Sequence, residues 1–202
     1  MYDFTKNKAT KRSISLRKPI NGMGLNDADY VISPTANGKR IICPIYLKWT
    51  NMLMRCYSSE YQALYPTYTY CTVVGEWLLF SNFRAWMIEQ DYDGMALDKD
   101  IKFKGNKIYS PSTCLFIPEA LNNLLSDCAA RRGEYPVGVY LHNPLGKFQS
   151  RINVDGKRKN LGYFTSPQQA SEAYQQARRI KIQQIIDDNI YPVATMYLSQ
   201  HI

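Results

Sequence analysis

The amino-acid sequence predicts an α+β fold, with helices in the first half and a small three-stranded antiparallel sheet packed on one helix near the C-terminus. Apolar side chains recur at spacings of three and four residues between Tyr46 and Tyr57, as in an amphipathic helix. Aromatic side chains recur every three residues from Trp77 to Trp86, which predicts a second, core-forming helix. Three strand-like runs joined by turns, and then a helical pattern, occupy residues 137–186.

Positive charge is concentrated in two parts of the chain, which has 202 residues and a net charge of +8. Residues 1–18 contain six basic residues and one acid, and residues 131–181 contain ten basic residues and three acids. The remainder is mildly acidic. A nucleic-acid backbone is the expected partner of such basic zones. The alternative is that each zone is a solvated basic face without a partner.

Several classes of protein are excluded by composition. No apolar run approaches the roughly 20 residues of a membrane span, and the polar N-terminus is not a secretory signal, so we expect a cytoplasmic protein without a membrane partner. Only two histidines are present, which removes most histidine-based catalysis. The cysteines are scattered without a C-x-x-C pair, so we expect buried apolar thiols, with a zinc site as the alternative. They are Cys43, Cys56, Cys71, Cys114 and Cys128.

Composition and pattern divide the chain into four segments. Residues 1–20 are polar and lysine-rich and are interpreted as a flexible basic arm. Residues 21–130 form a central domain, residues 131–189 a basic C-terminal domain, and residues 190–202 a tail. The arm is a candidate for additional phosphate or minor-groove contacts if the protein binds DNA.

The second half of the central domain reads as strand, turn, extended segment and helix. The sequence is GMALDKDIKFKGNKIYSPSTCLFIPEALNNLL, in which a glycine–asparagine pair supplies the turn. The helix is expected to begin near Pro118, because proline and the adjacent Glu119 suit a helix N-terminus.

The C-terminal domain has a sharper pattern. GVYLHNP and GKFQSRINVDGKRKNLGYF predict three short strands, with NPLG and DGK as turns. Ser166 is the expected N-cap of the following helix and Pro167 its first residue. Small side chains would let this helix lie close to the sheet; its predicted inner face consists of Ala170, Ala173, Tyr174 and Ala177.

One face of the predicted sheet remains free of the helix. Cationic, amide and aromatic side chains alternate there. Such a mixture suits β-strands that lie in the DNA major groove and contact phosphates and base edges. The candidate DNA-binding residues are Tyr140, His142, Lys147, Gln149, Arg151 and Asn153 on the strands, with Lys157, Arg158 and Lys159 in the following turn or strand.

These residues resemble a known family. GVYLHNPLGKFQSRI followed by LGYFTSPQQASEAYQQA is similar to the ethylene-response-factor DNA-binding domain of plant transcription factors, a version of which occurs in phage HNH homing endonucleases. The resemblance covers about 45 residues and implies that the sheet reads the major groove. Tyr140 and Leu145 stand where the family has arginine and tryptophan, so the DNA target is expected to differ.

The central domain resembles phage HNH-type proteins over roughly residues 40–125. The similar residues are Trp49-x-x-Met52-x-x-Arg55-Cys56 and the pattern LDKD…GNKIYSP…C…P…LN. The resemblance implies an HNH-like ββα region with flanking helices, joined to the DNA-binding domain.

HNH chemistry uses a histidine as general base and one divalent metal ion. Lys99 occupies the histidine position here, and a protonated lysine is a poor base. Thr113 aligns with the middle asparagine, and Asn122 or Asn123 with the last metal ligand. If the protein is active, the resemblance implies the catalytic residues Asp98, Lys99, Asp100 and Asn122, with Mg²⁺ bound by Asp98 and Asn122. Without activity, no cofactor is expected.

Three functions remain open from the sequence. The first is a degenerate relative of homing endonucleases that binds a specific double-stranded DNA site and acts by occupancy, for example as a transcriptional repressor. The second is an active Mg²⁺-dependent nicking or homing endonuclease. The third is a phage inhibitor that binds a host protein. Monomer and homodimer are both compatible with the sequence.

Overall fold

The computed structural model describes residues 2–126, 134–154 and 156–202, which form two compact units. Unit 1 contains the described part of Met1–Asp93 together with Gly105–Phe116, and unit 2 contains Gly94–Lys104 together with the described part of Ile117–Ile202. The mixture of helices and small sheets confirms the α+β class. Over the described ranges, no helix has the length and apolarity needed to cross a membrane.

The regular elements are short except for one long helix. The helices are α1 (Lys11–Ser15), α2 (Pro44–Tyr57), α3 (Ser59–Leu64), α4 (Phe80–Ile88), α5 (Glu119–Leu125), α6 (Pro167–Asp187) and α7 (Pro192–Leu198). The strands are β1 (Thr35–Ala36), β2 (Lys39–Arg40), β3 (Thr72–Val73), β4 (Met95–Asp98), β5 (Ile108–Tyr109), β6 (Leu115–Pro118), β7 (Val139–His142), β8 (Lys147–Val154) and β9 (Lys157–Phe164). β1 pairs antiparallel with β2, β3 parallel with β5, β4 with β6, and β7–β8–β9 form one antiparallel sheet.

Aromatic side chains of α2, of α4 and of the turn before α4 form the core of unit 1. The indole Nε1 of Trp49 donates to the carbonyl of Trp77 at 2.7 Å, and the Trp49 and Phe80 rings lie 5.4 Å apart. Trp77, Phe80 and Phe83 are fully buried, so the predicted core stripe is confirmed for them. Trp86 is half-buried. Three-residue spacing therefore marked core positions in this segment.

The N-terminal segment differs from the predicted flexible arm. Phe4 is buried, and the guanidinium of Arg17 donates to the carbonyls of Asn26 at 2.8 Å and Ala28 at 2.7 Å. These contacts fix residues 2–20 on the segment that follows them. The prediction relied on polar composition, which does not reveal one buried aromatic ring or an arginine bound to distant carbonyls.

The C-terminal segment is also part of a core rather than a tail. The amide of Gln200 donates to the carbonyl of Ile101 at 2.7 Å. Arg178 on α6 donates to the carbonyl of Leu124 at 2.9 Å and to that of His201 at 3.1 Å. Gly94–Lys104 and α5, which were predicted to lie in the central domain, thereby belong to the same unit as the three-stranded sheet.

Helix α6 packs on the β7–β8–β9 sheet as the sequence predicted. The Ser166 hydroxyl accepts a hydrogen bond from the Gln169 N–H at 3.2 Å, and Pro167 is the first helical residue, which confirms the predicted N-cap. Ala170 and Tyr174 are buried against the sheet. Ala173 and Ala177, also predicted on the inner face, are half-buried.

Gly138 allows the sheet to approach the helix closely. Its φ of +77° lies in the left-handed region, and a Cβ at this position would overlap the ring of Tyr174. Any other residue would carry both a conformational and a steric cost. The Gly-Val pair at the start of β7 therefore positions the whole sheet on α6.

Candidate nucleic-acid interface

The strand register places one set of polar and aromatic side chains on the side of the sheet away from α6. Tyr140 pairs with Gln149, which in turn pairs with Tyr163. Residues that are directly opposite in a sheet share a face. The set, called the outer face below, consists of Tyr140, His142, Lys147, Gln149, Arg151, Asn153, Arg158, Asn160 and Tyr163.

Aromatic rings order the middle of the outer face. The guanidinium carbon of Arg151 lies 4.3 Å from the ring centroid of Tyr140, a cation–π contact. The Gln149 amide donates to the Tyr163 hydroxyl at 3.2 Å, and the His142 and Tyr163 rings meet edge to face at 5.1 Å. These contacts hold long side chains in place before any partner binds, which lowers the entropy cost of binding.

The outer face carries cations without internal counter-charges. The three strands contain five basic residues and no aspartate or glutamate. None of the ion pairs found among the described residues includes a cation of this sheet. The buried Nε of Arg151 and the buried Nδ1 of His142 have no hydrogen-bond partner. Because buried polar groups are normally satisfied, these atoms have capacity for a ligand.

The outer face includes two residues that the sequence analysis did not identify, and a β-bulge places one of them there. The register shifts between Ser150 and Arg151, so that Ser150 pairs with Gly162 and Arg151 with Asn160. Leu161 is the extra residue, and the alternation of β9 changes phase there. Asn160 and Tyr163 consequently lie on the outer face. Strict alternation from Arg158 places Asn160 on the outer face. It would then place Gly162 there instead of Tyr163.

Two of the predicted DNA-binding lysines occupy the other side of β9. Lys157 pairs with Val154 and Lys159 with Ile152, whose side chain is buried on the helix side of the sheet. Both lysines are exposed. The register therefore separates them from Arg158, which pairs with Asn153 on the outer face.

The Asp98–Ile101 turn follows β4 and contains three of the predicted catalytic residues. The Asp98 carboxylate oxygen accepts from the backbone N–H groups of Asp100 at 2.7 Å and Ile101 at 2.6 Å. Burial raises the pKa of Asp98 above its ordinary value, since desolvation disfavours the charged carboxylate. This carboxylate is thus committed to holding the turn together.

The lysine at the histidine position is buried. Lys99 is 4% exposed, and its ammonium lies 2.7 Å from the Asp100 carboxylate. A charge removed from water requires such a partner, because an unpaired buried ammonium would be costly. Lys99 and Asp100 therefore pair within the turn, with the Lys99 side chain buried and the Asp100 side chain 43% exposed.

The remaining predicted metal and catalytic positions do not complete a metal centre. The backbone carbonyl of Asn122 accepts from the Ser126 N–H at 3.0 Å as α5 ends. Thr113 lies in unit 1, where its hydroxyl donates to the Ile108 carbonyl at 2.7 Å. Within the described ranges, no three His, Cys, Asp or Glu side chains are placed to bind a metal ion. One Asp98 oxygen accepts two backbone hydrogen bonds and the Asp100 carboxylate is paired with Lys99, so both carboxylates are engaged within the fold.

Four of the cysteines in the described ranges are buried thiols that are not joined in disulfides. They are Cys43, Cys56, Cys71 and Cys114. Cys128 lies outside the described residues. The four thiols behave as small apolar core residues, in agreement with the interpretation of the sequence.

Comparison with protein-family models, with curated proteins and with solved structures finds no match.

Proposed function

We propose that the protein binds double-stranded DNA with the outer face and acts by occupying a specific site, as a transcriptional repressor does. The observation that supports this best is the set of outer-face cations, which form no ion pair with any acid in the part of the chain that the structure describes. A ligand with regularly spaced negative charges supplies what this surface lacks.

The shape of the surface favours duplex DNA over other polyanions. A narrow antiparallel sheet can enter the major groove, which is about 12 Å wide. Lys147, on the central strand β8, and Arg158, on the edge strand β9, stand near opposite ends of the face and suit phosphate contacts. Gln149 and Arg151 lie between them, where an amide and a guanidinium can read base edges.

The proposal of occupancy rather than cleavage is supported by the Asp98–Ile101 turn. An HNH-type nuclease needs a general base and a metal-binding carboxylate. The base position holds Lys99, whose ammonium is buried and paired with Asp100, and the Asp98 carboxylate already accepts two backbone hydrogen bonds. Active cleavage is therefore the competing proposal, and a direct assay separates the two.

Selection from a random duplex pool is the first experiment. The full chain is incubated with randomised 40-base-pair duplexes, and the bound DNA is recovered and sequenced. We expect enrichment of one motif. The recovered site is then placed in supercoiled plasmid with Mg²⁺ or Mn²⁺. Protection without nicking supports occupancy, whereas nicking that disappears in Asp98→Ala establishes a nuclease.

Salt dependence measures the phosphate contacts directly. With about five phosphates neutralised, the slope of log K against log salt is expected to be roughly −4 to −5. The double variant Lys147→Gln/Arg158→Gln should reduce the slope by roughly two. The matched double variant Lys39→Gln/Arg40→Gln removes two exposed cations from the β1–β2 hairpin and should leave it unchanged. A flat salt response of the intact chain would refute DNA binding.

The cellular setting is part of the same proposal. The resemblance to phage proteins supports a cytoplasmic location inside a bacterial host. The length of the protected site distinguishes a monomer from a homodimer, since two sheets reading a palindrome would be one helical turn or more apart. If the protein instead inhibits a host protein, replacing Arg151, Arg158 and Lys159 by alanine should leave its activity intact.

A further inference from the structure

A cavity of about 570 Å³ lies within unit 2, between α5, α6, the start of β7 and the β8–β9 hairpin. Much of its wall is apolar. The apolar side chains include Leu121, Leu124, Val137, Ile152, Tyr174 and Ile185. Small-molecule sites in proteins typically have volumes of about 300–1,000 Å³ with mainly apolar walls and a few converging polar groups. The size and wall of this cavity match that description.

Three of the polar side chains that line the cavity are cationic. Arg151, Arg158 and Lys181 line it, together with Asn153, and no carboxylate is found among its described lining residues. The Nε of Arg151 is buried and lacks a hydrogen-bond partner, while the guanidinium lies against the Tyr140 ring, which also lines the cavity. A cation with a free, desolvated donor beside an apolar wall is a site for an anionic group attached to an apolar body.

We propose that this cavity binds a small amphipathic anion, with its hydrocarbon or aromatic body against α5 and α6 and its carboxylate, sulfonate or phosphate group at Arg151. Neither part of such a ligand is sufficient alone. The apolar wall gives no affinity for a bare inorganic anion, and an uncharged hydrophobe leaves Arg151 Nε unpaired. The cavity thus selects for both properties in one molecule.

The location of the cavity couples it to the outer face. Tyr140, Arg151, Asn153 and Arg158 belong to both. A bound anion would neutralise cations that otherwise contact DNA, so the ligand and DNA compete, and the ligand acts as an effector that releases the protein from its site. This coupling rests on the proposed DNA binding, whereas ligand binding itself does not.

The direct test uses 1-anilinonaphthalene-8-sulfonate, an aromatic sulfonate whose fluorescence rises in an apolar site. Titration of the full chain should show saturable binding at one site. N-phenyl-1-naphthylamine has the same ring system without the sulfonate. Its dissociation constant should be higher by about tenfold or more. Equal affinity of the two probes, or no saturation, would overturn the assignment.

Variants locate the probe. Arg151→Gln removes the anion-binding group, and Ala120→Trp fills the cavity from an exposed position of α5. Each should weaken sulfonate binding about tenfold or more. Lys147→Gln makes the same charge change outside the cavity and should not alter it. If the affinity for the probe is the same in both cavity variants and their melting temperatures are unchanged, the probe binds elsewhere and the proposed site is refuted.

Competition tests the coupling separately. A labelled duplex carrying the selected motif should be displaced by the sulfonate probe in the intact chain, and displacement should be lost in Ala120→Trp. If the probe binds and the duplex stays bound, the effector role is wrong. If the protein binds no DNA at all, the proposed function fails, while the probe titration still decides whether the cavity binds an amphipathic anion.

Discussion

Two polar regions of unit 2 use their charged groups in opposite ways. In the Asp98–Ile101 turn, a carboxylate accepts two backbone hydrogen bonds and a buried lysine is paired with the adjacent Asp100. Among the described residues, the cations of the outer face have no acidic partner, and the buried Nε of Arg151 has no hydrogen-bond partner. The charged groups of the turn are paired with neighbouring groups, whereas the outer face is the surface that we propose binds DNA.

The comparison shows why residue type alone does not identify a functional site. Asp98 and Asn122 carry oxygen atoms that can bind a metal ion, but an Asp98 oxygen already accepts hydrogen bonds from the backbone N–H groups of the turn. Arg151 has ordinary surface chemistry, but it is held by the Tyr140 ring and left unsatisfied. Five buried side-chain atoms lack a hydrogen-bond partner among the described residues, and two of them, Arg151 Nε and His142 Nδ1, lie on the outer face that we propose binds DNA. Variants in each region can break or sharpen this distinction.

The largest effect is expected for Arg151→Gln on DNA affinity. Glutamine keeps a polar side chain but loses the charge and the guanidinium fork. A base- or phosphate-contacting arginine contributes about 1–3 kcal/mol, so the dissociation constant should rise about 5- to 150-fold. Fluorescence anisotropy with the selected duplex measures this. Lys39→Gln, in the β1–β2 hairpin, is the matched control and should bind as the natural chain does.

A substitution in the Asp98–Ile101 turn should lower the free energy of unfolding rather than the affinity for DNA. Asp98→Ala leaves the N–H groups of Asp100 and Ile101 without their acceptor, and such a loss costs about 1–3 kcal/mol of the free energy of unfolding. Urea unfolding measures it. Asp98→Asn retains an acceptor oxygen and should avoid most of the loss. If Asp98→Ala instead weakens DNA binding without destabilising the fold, the turn belongs to the functional surface.

A smaller effect tests the register of the outer face. Arg158→Gln removes an outer-face cation and should make the salt slope of DNA binding less steep by about one. Lys159→Gln removes a cation whose register position is opposite Ile152, on the helix side, and should leave the slope unchanged. Equal changes for the two variants would mean that DNA wraps around the edge of the sheet.

Local patterns predicted most of the helices and strands. The spacing of Trp77, Phe80 and Phe83 marked a buried stripe, and the serine–proline pair at 166–167 marked the start of α6. The arm and the tail could not be predicted, because their order depends on contacts with distant segments. The Gln200 amide binds the carbonyl of Ile101, and no spacing within the last residues reveals that partner.

The candidate site was predictable to the extent that strands alternate. Alternation along β8 placed Gln149 and Arg151 on one face without knowledge of the fold. It failed at Tyr163, because a bulge adds one residue to β9 and reverses the phase. It also gave no information on Asp98, since a motif specifies which residue stands at a position but not whether its oxygens are already occupied.

The smallest expected effect is on the pH dependence of the free energy of unfolding, and it tests the Asp98–Ile101 turn. Burial raises the pKa of Asp98 above its ordinary value of 3.8, so the folded state retains a proton that the unfolded state has already released. The free energy of unfolding therefore falls as pH rises from below 3.8 through the raised value, and no such cost exists at lower pH.

Asp98→Asn carries no titrating group at this position and lacks that cost. Its stability relative to the natural chain should increase with pH through the same window and then become constant. Urea unfolding of both proteins from pH 3 to pH 7 measures the difference, in which the other titrating groups cancel. A difference that falls with rising pH would mean that the carboxylate is stabilised in its charged form. The contrast between a turn whose carboxylate is destabilised by burial and a solvent-facing sheet surface would then no longer hold.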